Sequence, residues 1–236
     1  MSETPVSTRV VQPSSARSWW GTPLLAPVLM VLAGPTVAIV LTDGASENGD
    51  LSAYDPAITS AFVTARSDVG TALAQVFTFF GSTLALVPLT LAVLAWLGWR
   101  RRWQAMSAVV AGMVTSLALT VLLKNVIGRV RPPGVDVLGA INTGFSFPSG
   151  HTLNGTVFFG LVTGLVLHQC RSLRTRLAAL TGGVVMAVGI GLSRVYLGYH
   201  WLTDVMAGWS LAVGVLGVVL LGSGLLDRRR SRTAHV

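Results

Sequence analysis

Six long uncharged stretches constrain the fold of this 236-residue sequence more than any other feature. An α-helix needs about 20 apolar residues to cross the hydrocarbon core of a bilayer, and the six stretches have close to this length. We therefore predict an all-α integral membrane protein, a bundle of six spanning helices. The predicted spans lie near residues 23–41, 77–99, 105–123, 152–169, 177–192 and 205–226.

The composition agrees with a membrane protein and excludes other classes. Only 11% of the residues are charged, whereas a soluble domain carries roughly a quarter, so we expect no separate soluble domain. The net charge of +8 comes from short arginine clusters rather than from a basic surface interleaved with aromatic residues. We therefore expect contacts with membrane lipids and no nucleic-acid partner. The predicted organisation is a polar leader over 1–17, a six-span membrane domain over 18–227 and a basic tail over 228–236.

The arginine clusters indicate how the chain is oriented. With six spans, four basic groups fall on one side of the membrane, and the positive-inside rule makes that side the cytoplasm. We therefore predict a multi-pass protein of the cytoplasmic (plasma) membrane with both termini in the cytoplasm. The four groups are Arg9 and Arg17; Arg100, Arg101 and Arg102; Arg171, Arg174 and Arg176; and Arg228, Arg229, Arg230 and Arg232.

The first loop outside the membrane contains another helical pattern. Apolar residues recur there at spacings of three and four, which predicts one face of a short amphipathic helix. Two placements remain open: the helix lies along the outer membrane interface, or it packs on the top of the bundle. The apolar positions are Ile58, Phe62, Ala65, Val69, Leu73 and Val76.

Three polar clusters stand at the ends of apolar segments, where charge is expensive and indicates function. The first cluster contains Lys124 at the end of the third span, with Arg131 and Pro132 in the following loop. A lysine in this position can extend toward the lipid headgroups, so interfacial anchoring is an alternative. These cations nevertheless lie on the outer side, which the other arginine clusters avoid.

The second cluster, Pro148-Ser149-Gly150-His151, immediately precedes the fourth apolar helix. This pattern is typical of a helix start with a serine N-cap, and the free amides of a helix N-terminus bind phosphate. His151 is then placed at the rim of an anion site. The alternative is an ordinary cap next to a hydrogen-bonded histidine.

The third cluster joins the fifth and sixth spans. Ser193 and Arg194 close the fifth span, and His200 and Asp204 stand four residues apart at the start of the sixth, so they share a face if the helix has begun. A carboxylate on one imidazole nitrogen fixes the tautomer and leaves the lone pair of the other nitrogen free to attack. Alternatively, Asp204 caps the helix and His200 is an interfacial histidine. Because of the span parity, all three clusters reach the same outer face.

The order and internal spacing of the clusters match the three-part signature of a known family. The signature here is Lys-x6-Arg-Pro, then Pro-Ser-Gly-His, then Ser-Arg-x5-His-x3-Asp. On these motifs the sequence resembles the type 2 phosphatidic acid phosphatase superfamily, which includes membrane lipid phosphatases, bacterial acid phosphatases and vanadium haloperoxidases. The resemblance covers about residues 55–226, and no motif position departs from it.

The resemblance implies a role for each motif residue. His200 would be the nucleophile that forms a phosphohistidine, Asp204 would orient it, and His151 would be the general acid for the leaving group. The residues that would bind the phosphoryl oxygens are Lys124, Arg131, Ser149, Gly150 and Arg194. No acidic cluster offers a metal site, so a metal-independent reaction without a cofactor is expected.

The leading hypothesis is a membrane phosphatase that hydrolyses a lipid phosphomonoester or diphosphate at the outer membrane face. Polyprenyl diphosphate, phosphatidylglycerol phosphate and phosphatidic acid all remain candidate substrates. Two alternatives use the same fold: a vanadate-dependent haloperoxidase-like enzyme, and a non-catalytic lipid-binding or transport protein. The first resembles longer, soluble proteins, and the second is expected to lose a motif histidine, so both are disfavoured. The oligomeric state is left open.

Overall fold

The computed structural model of the chain describes residues 24–46 and 52–233, and within these ranges every regular element is a helix. Two short 3₁₀ helices, Ser52–Tyr54 and Gly134–Asp136, precede α2 and follow α5. The predicted all-α class is therefore confirmed for the described part of the chain. The eight α-helices are α1 (Leu25–Ser46), α2 (Asp55–Thr64), α3 (Asp68–Gly81), α4 (Thr83–Trp99), α5 (Trp103–Ile127), α6 (Gly150–Gln169), α7 (Leu173–Tyr196) and α8 (Leu202–Thr233).

Five of the six predicted spans each overlap one helix, whereas the second, near residues 77–99, covers the end of α3, the break at Ser82 and all of α4. Not every one of these helices meets the requirements for crossing a membrane. Four helices, α5 to α8, are long and apolar enough to span a bilayer. The apolar helices α3 and α4 are bent by 50° relative to each other and add a fifth span if they cross as one unit. The apolar part of α1, Leu25–Leu41, is shorter. The described residues thus form a multi-pass membrane fold, while the count of six spans stays a prediction.

The predicted amphipathic helix is not continuous, because the chain breaks at residues 65–67 between α2 and α3. In this break Arg66 donates to Tyr196 O at 3.0 Å and to Asp136 O at 2.5 Å, which fastens the break to the end of α7 and to the α5–α6 connection. Ser67 then accepts a hydrogen bond from Gly70 N at 3.2 Å and caps α3. A helical periodicity does not reveal such long-range contacts.

The predicted apolar face of this segment is largely exposed in α3. Val69, Leu73 and Val76 are 72%, 55% and 54% exposed. In contrast, Ala74 is buried, and α3 packs against α7. The exposed apolar face therefore points away from the bundle, where lipid can cover it.

Helix α6 occupies the centre of the bundle and contacts α3, α4, α5, α7 and α8. Its residues Leu153, Val157 and Leu161 are spaced by four, which places them on one side of the helix. They form the main hydrophobic cluster with buried residues of α8, including Leu211 and Val215. This core therefore fixes the position of α6, the helix that begins in the second motif cluster.

Small residues allow α1 and α8 to approach closely. A methyl group on Gly217 of α8 would come within 2.7 Å of Met30 Cβ, and one on Gly214 would come within 3.0 Å of Pro35 Cδ. Membrane helices pack closely where such small residues line their interface. This packing fixes α1 on α8, whose first turn carries Asp204.

The helices bring the three motif clusters to one end of the bundle, here called the motif end. Lys124 is in the last turn of α5, and Gly150 begins α6. Arg194 is in the last turn of α7, and Asp204 is in the first turn of α8. Because α5 to α8 run in alternating directions, the end of α5, the start of α6, the end of α7 and the start of α8 all lie at the same end of the bundle.

The opposite end, here called the arginine end, contains the α4–α5 and α6–α7 connections. A pocket of about 570 Å³ at this end is lined by Arg100, Arg102, His168, Arg171 and Arg176, among others. Helix α8 continues to Thr233, so the predicted tail that starts at residue 228 begins inside a helix. The predicted leader over residues 1–17 lies outside the described residues.

Candidate active site

A left-handed glycine ends α5 and turns the chain into the Arg131 loop. Gly128 has a φ of 63° and donates its amide to Lys124 O at 3.0 Å. Glycine adopts this conformation without the steric penalty that other residues meet. As a result, Lys124 stays in the last helical turn, and Arg129 and Arg131 follow in the loop.

The Lys124 ammonium group contacts the segment that leads into α6. Its Nζ donates to Phe145 O at 2.5 Å and lies 3.5 Å from Ser146 O. The next residue, Phe147, is fully buried and packs with Leu41 and Ala207. Lys124 therefore joins the end of α5 to an anchored segment just before the second motif cluster.

His200 is held in the turn between α7 and α8. The amides of Tyr199 and His200 both donate to Arg194 O, at 3.0 and 3.2 Å. Helix α8 begins only at Leu202, so His200 stands just before it. Its Nδ1 nevertheless lies 3.2 Å from Asp204 Oδ2, and both side chains are buried. The histidine and the carboxylate therefore meet without belonging to the same helix.

The protonation of the His200 ring follows from its neighbours. Arg131 Nη1 lies 3.3 Å from His200 Nε2, and since a guanidinium group only donates hydrogen bonds, Nε2 must be the accepting nitrogen. The ring proton is then on Nδ1, where it faces the Asp204 carboxylate. Burial lowers the pKa of His200 to about 3, against the opposing effect of Asp204. The imidazole is therefore neutral at neutral pH, with the Nε2 lone pair directed toward Arg131.

The Asp204 carboxylate is fully buried and accepts hydrogen bonds from several sides. Oδ2 accepts from Trp201 N at 3.0 Å and from the Ser146 hydroxyl, and Oδ1 accepts from Arg129 Nη1 at 2.7 Å. The bond from Trp201 means that Asp204 also caps the start of α8. Asp204 therefore both caps α8 and contacts His200, and the carboxylate is fixed at that position.

Arg129 and Asp55 support Asp204 from behind, and neither was assigned a role from the sequence. Arg129 Nη2 donates to Asp55 Oδ2 at 2.8 Å, and its Nη1 donates to Thr203 Oγ1 at 2.7 Å. Asp55 is 1% exposed and also accepts from Thr203 N at 3.1 Å. Buried charges must be paired in this way because their desolvation is costly. Arg129 could have been noticed as a further cation on the arginine-poor side, but nothing in the sequence pointed to Asp55.

Arg131 is held by three backbone carbonyl groups. Its Nε donates to Gly144 O at 2.6 Å, and its Nη1 donates to Tyr199 O at 2.6 Å. Its Nη2 donates to Phe145 O at 3.1 Å. These carbonyls fix the guanidinium group beside His200.

Arg194 is buried against an aromatic ring and has an unused donor. Its guanidinium carbon lies 4.1 Å from the centre of the Tyr199 ring, and its Nη1 donates to Thr78 Oγ1 at 2.6 Å. Its Nε is buried and has no hydrogen-bond partner among the described residues. A buried donor without a partner is unfavourable, so an anion next to Arg194 would satisfy it.

The three predicted phosphate-binding cations converge at the motif end. Lys124 Nζ and Arg131 Nη2 donate to the same oxygen, Phe145 O, and Arg131 and Arg194 both contact Tyr199. Cations that are brought together away from bulk water repel one another strongly. A bound anion relieves this repulsion, so the arrangement is suited to a phosphate group.

Ser149 occupies the N-cap position of α6, but its side chain does not cap the helix. Ser149 Oγ accepts a hydrogen bond from Thr152 Oγ1 at 2.9 Å, and Ser149 N donates to Asp204 O at 3.1 Å. The predicted side-chain cap is therefore wrong, because Ser149 Oγ accepts its hydrogen bond from the buried Thr152 hydroxyl and not from a backbone amide of the helix. Gly150 begins the helix close to α5, where an added Cβ would come within 2.9 Å of Thr120 Cγ2. The first amides of α6 have no partners within the helix and remain donors for a ligand.

His151, in the first turn of α6, lines a cavity. Since α6 begins at Gly150, His151 stands at the motif end together with His200 and the three cations. On its other side, a methyl group on Gly81 would come within 3.3 Å of His151 Cβ. From His151 a cavity of about 380 Å³ extends between α4, α5 and α6. The two predicted catalytic histidines thus share one end of the bundle but have different surroundings.

The donor groups at the motif end are suited to an anion. In the described ranges, no three side chains of histidine, cysteine, aspartate or glutamate are grouped so that they could hold a metal ion. The carboxylates of Asp55 and Asp204 are both paired with Arg129. The side chains that remain available are therefore cations and imidazoles.

Comparisons with known proteins agree with this geometry. The model of the PAP2 superfamily matches residues 105–224. A phosphatidylglycerophosphatase B of Bacillus subtilis (strain 168) is 31% identical over 162 residues, which cover 67% of this chain and 78% of the relative. An undecaprenyl-diphosphatase of Sulfolobus acidocaldarius is 30% identical over 155 residues, which cover 63% of this chain and 69% of the relative.

A solved structure shares the fold over most of the chain. The crystal structure of a transmembrane PAP2 type phosphatidylglycerolphosphate phosphatase from Bacillus subtilis has a TM-score of 0.67 and 28% sequence identity. The match covers 88% of this chain and 96% of that chain. The likeness therefore extends beyond the region matched by the family model.

Proposed function

The chain belongs to the PAP2 superfamily, and on this basis we propose that it hydrolyses lipid phosphates through attack by His200 on the phosphorus atom. The observation that carries the proposal is the orientation of the His200 ring. Nδ1 faces Asp204 at 3.2 Å, and Nε2 faces Arg131 at 3.3 Å. A neutral imidazole held in this tautomer has its nucleophilic lone pair directed toward the group that would bind the phosphate.

Phosphate binding uses hydrogen-bond donors that have no acceptor in the free protein or that can exchange the acceptor they have. Arg131 transfers the N–H that now contacts His200 Nε2 to a phosphoryl oxygen, which frees the lone pair. Arg194 gains an acceptor for its buried Nε, and Lys124 adds a positive charge. The Gly150 amide and the Ser149 hydroxyl complete the site at the start of α6. Phosphoryl transfer depends mainly on such positioning and on stabilising the charge of the equatorial oxygens.

In the first step, His200 Nε2 forms a bond to phosphorus while the bond from phosphorus to the leaving oxygen breaks. His151 donates a proton to that oxygen, so the lipid leaves as an alcohol or, from a diphosphate, as a monophosphate. The negative charge of the bound phosphate stabilises the protonated form of His151 before this transfer. Asp204 stabilises the positive charge that develops on the His200 ring.

In the second step, water replaces His200 on the phosphorus atom. His151, now neutral, accepts a proton from the attacking water molecule. The oxygen of that water bonds to phosphorus, the bond to His200 Nε2 breaks, and phosphate is released. His151 is again protonated, and His200 returns to its neutral tautomer.

The proposed reaction takes place at the outer face of the cytoplasmic membrane. In this arrangement α1, the bent pair α3–α4 and α5 to α8 are the six spans, and both termini are cytoplasmic. The arginine end then faces the cytoplasm, in agreement with the positive-inside rule. A site at the headgroup level suits a substrate whose hydrocarbon tail stays in the bilayer.

Phosphate release from purified protein in detergent tests the proposal. The substrates are phosphatidic acid, phosphatidylglycerol phosphate, undecaprenyl diphosphate and nitrophenyl phosphate, each with and without a chelator. His200→Ala should remove activity with all of them. His151→Ala should retain part of the activity with nitrophenyl phosphate only, because its phenolate leaves without protonation.

The matched control is His168→Ala, which removes a histidine at the arginine end. It should release phosphate as the wild type does. His151→Ala should also accumulate radiolabelled phosphate on His200 in an acid-labile form, since its second step lacks a base. Equal recovery of His200→Ala and His151→Ala with nitrophenyl phosphate would show that the assigned roles are wrong.

A further inference from the structure

The pocket of about 570 Å³ at the arginine end contains several cations that the proposed reaction does not use. Its permanently charged lining residues are Arg100, Arg102, Arg171 and Arg176. Among the described residues that line it, none has a carboxylate. Cations that are held close together repel one another. A bound anion would offset this repulsion, so the pocket is suited to an anionic ligand.

The turn between α4 and α5 brings two of its three arginines to the pocket. Arg101 has a φ of 52°, a left-handed conformation that is uncommon for residues other than glycine. The turn returns Arg102 N to Leu97 O in the last turn of α4, at a distance of 2.8 Å. As a result, Arg100 and Arg102 line the pocket, whereas Arg101, which stands between them, does not.

The arginines that follow α6 divide in the same way. Arg174 and Arg176 are both exposed in the first turn of α7, but only Arg176 lines the pocket, together with Arg171. The positive-inside rule explains why all these arginines lie on one side of the membrane. It does not explain why four of the six line a common pocket.

Exposed apolar side chains near the pocket indicate that it lies at the level of the lipid headgroups. Trp99 and Trp103 stand on either side of the α4–α5 turn and are 79% and 61% exposed, and tryptophan is enriched at the membrane interface. Leu173, Leu177 and Leu180 are spaced by four and three residues, which places them on one side of α7. They are 69%, 53% and 44% exposed. An acyl chain can therefore lie along α7 while its headgroup reaches the pocket.

Arginine side chains in this position are suited to the phosphate of a phospholipid. The planar guanidinium group can donate two parallel hydrogen bonds to phosphate oxygens. Basic pockets between membrane helices on the cytoplasmic side bind the headgroups of anionic lipids, and in the proposed orientation the arginine end faces that side. The volume of about 570 Å³ lies within the usual range for small-molecule sites, so a phosphate with an attached glycerol can enter.

We propose that this pocket is a second phosphate site, which binds the headgroup of an anionic phospholipid such as phosphatidylglycerol. Guanidinium groups from the α4–α5 and α6–α7 connections donate to the phosphate oxygens, so the bound lipid joins the two connections. The site is separate from the motif end, because His151 and His168 stand in the first and last turns of α6, about 25 Å apart along the helix. The inference does not depend on the proposed phosphatase reaction.

Cys170 can report whether the pocket is occupied, because it is the single cysteine of the chain and lines the pocket. The experiment measures the rate at which uncharged N-ethylmaleimide labels Cys170 in a neutral detergent, with increasing amounts of dioleoylphosphatidylglycerol. Bound lipid covers the thiol, so labelling should slow by about fivefold or more once the lipid is in excess. Dioleoylphosphatidylcholine should not slow it, because the arginines repel the positive charge of its choline group.

Two pairs of variants separate binding in the pocket from attraction to the overall charge of this end. Arg176→Gln and Arg174→Gln each remove one exposed arginine from the first turn of α7, and Arg100→Gln and Arg101→Gln each remove one from the α4–α5 turn. The pocket variants, Arg176→Gln and Arg100→Gln, should raise the concentration of phosphatidylglycerol that gives half of the full protection by about threefold or more. Arg174→Gln and Arg101→Gln should keep the wild-type concentration.

Three results would overturn the inference, and none of them involves phosphate release. The first is unchanged labelling of wild-type Cys170 in the presence of phosphatidylglycerol. The second is equal weakening of protection in all four variants, which would mean that the lipid responds only to overall charge. The third is equal protection by glycerol 3-phosphate at the same concentration, which would assign the pocket to a soluble phosphate. If Arg100→Gln does not yield monodisperse protein, the comparison of Arg176→Gln with Arg174→Gln decides alone.

Discussion

Arg129 donates a hydrogen bond to Asp204 Oδ1 at 2.7 Å, on the carboxylate oxygen opposite the one that meets His200. The other end of the same guanidinium group donates to Asp55 at 2.8 Å. Asp55 lies 74 residues earlier in the chain and is almost fully buried. Arg129 and Asp55 therefore fix the Asp204 carboxylate next to His200, and for the proposed reaction we assign both a positioning role.

Arg129→Lys should lower kcat while KM changes much less. Lysine keeps the charge but donates from a single nitrogen, so it cannot bridge both carboxylates as the planar guanidinium group does. The expected loss in kcat is about tenfold or more, because His200, the proposed nucleophile, is no longer held in its attacking orientation. Steady-state kinetics with phosphatidylglycerol phosphate measure both constants.

The control for this variant is Arg174→Lys, an exposed position at the arginine end. Its kcat and KM should match those of the wild type. A rise in KM without a fall in kcat in Arg129→Lys would mean that Arg129 binds the substrate rather than positions Asp204.

The low pKa of His200 should make the stability of the protein depend on pH. The pKa is lowered from 6.5 to about 3 in the folded protein, so between these values the unfolded chain binds a proton that the folded protein does not. The contribution of His200 to stability is therefore fully present above pH 6.5 and is lost progressively as the pH falls toward 3. His200→Gln should flatten this part of the stability profile.

Thermal unfolding in detergent, measured from about pH 4 to about pH 7.5, checks this expectation. His168→Gln serves as the control and should keep the slope of the wild type. Equal slopes for the wild type and His200→Gln would show that His200 does not have a depressed pKa.

Local patterns in the sequence predicted the positions of most of the helices and the meeting of the motif clusters at one end of the bundle. Lys124 and Asp204 each stand at one end of an apolar run, so the alternation of antiparallel spans was enough to place them together. The contact between His200 and Asp204 was also predicted from their spacing, although α8 begins after His200. These predictions succeeded because each depends on neighbouring residues and on chain direction.

Contacts between distant segments could not be predicted in this way. The Ser146 hydroxyl contacts Asp204, and Asp55 pairs with Arg129, but neither Ser146 nor Asp55 belongs to a recognisable motif. Arg66 interrupts an otherwise helical periodicity because its guanidinium group binds carbonyl oxygens of Tyr196 and Asp136. The unpartnered donor of Arg194 likewise depends on packing that no local pattern contains.

The proposed orientation predicts that Val135 and Cys170 lie on opposite sides of the membrane. Val135 is 89% exposed in the α5–α6 connection at the motif end, and Cys170, the single cysteine of the chain, lies at the arginine end. In intact cells, a membrane-impermeant maleimide should label Val135→Cys in a Cys170→Ser background and should leave the wild type unlabelled. Cys170 should react once the membranes are opened. The reverse pattern would place the proposed active site on the cytoplasmic side.

Lys124→Arg should impair turnover although it conserves the charge. Lys124 is the only lysine of the chain, and its compact ammonium group reaches Phe145 O at 2.5 Å and Ser146 O at 3.5 Å. The larger planar guanidinium group of arginine does not reproduce these contacts and leave the same space for a phosphate. Because loss of one well-placed electrostatic contact in an active site costs about 10²–10³ in turnover, we expect a decrease of at least about tenfold. The rate of phosphate release from phosphatidylglycerol phosphate measures it.

Two comparisons decide whether Lys124 binds phosphate or only anchors α5 at the headgroups. Lys124→Met removes the charge and should reduce turnover at least as strongly as Lys124→Arg, with both variants monodisperse in detergent. Anchoring requires only a long cationic side chain that extends to the headgroups, so under that interpretation arginine would serve as well as lysine. Wild-type turnover in Lys124→Arg together with a defect in Lys124→Met would therefore favour anchoring. A loss in both variants would assign Lys124 to the phosphate site.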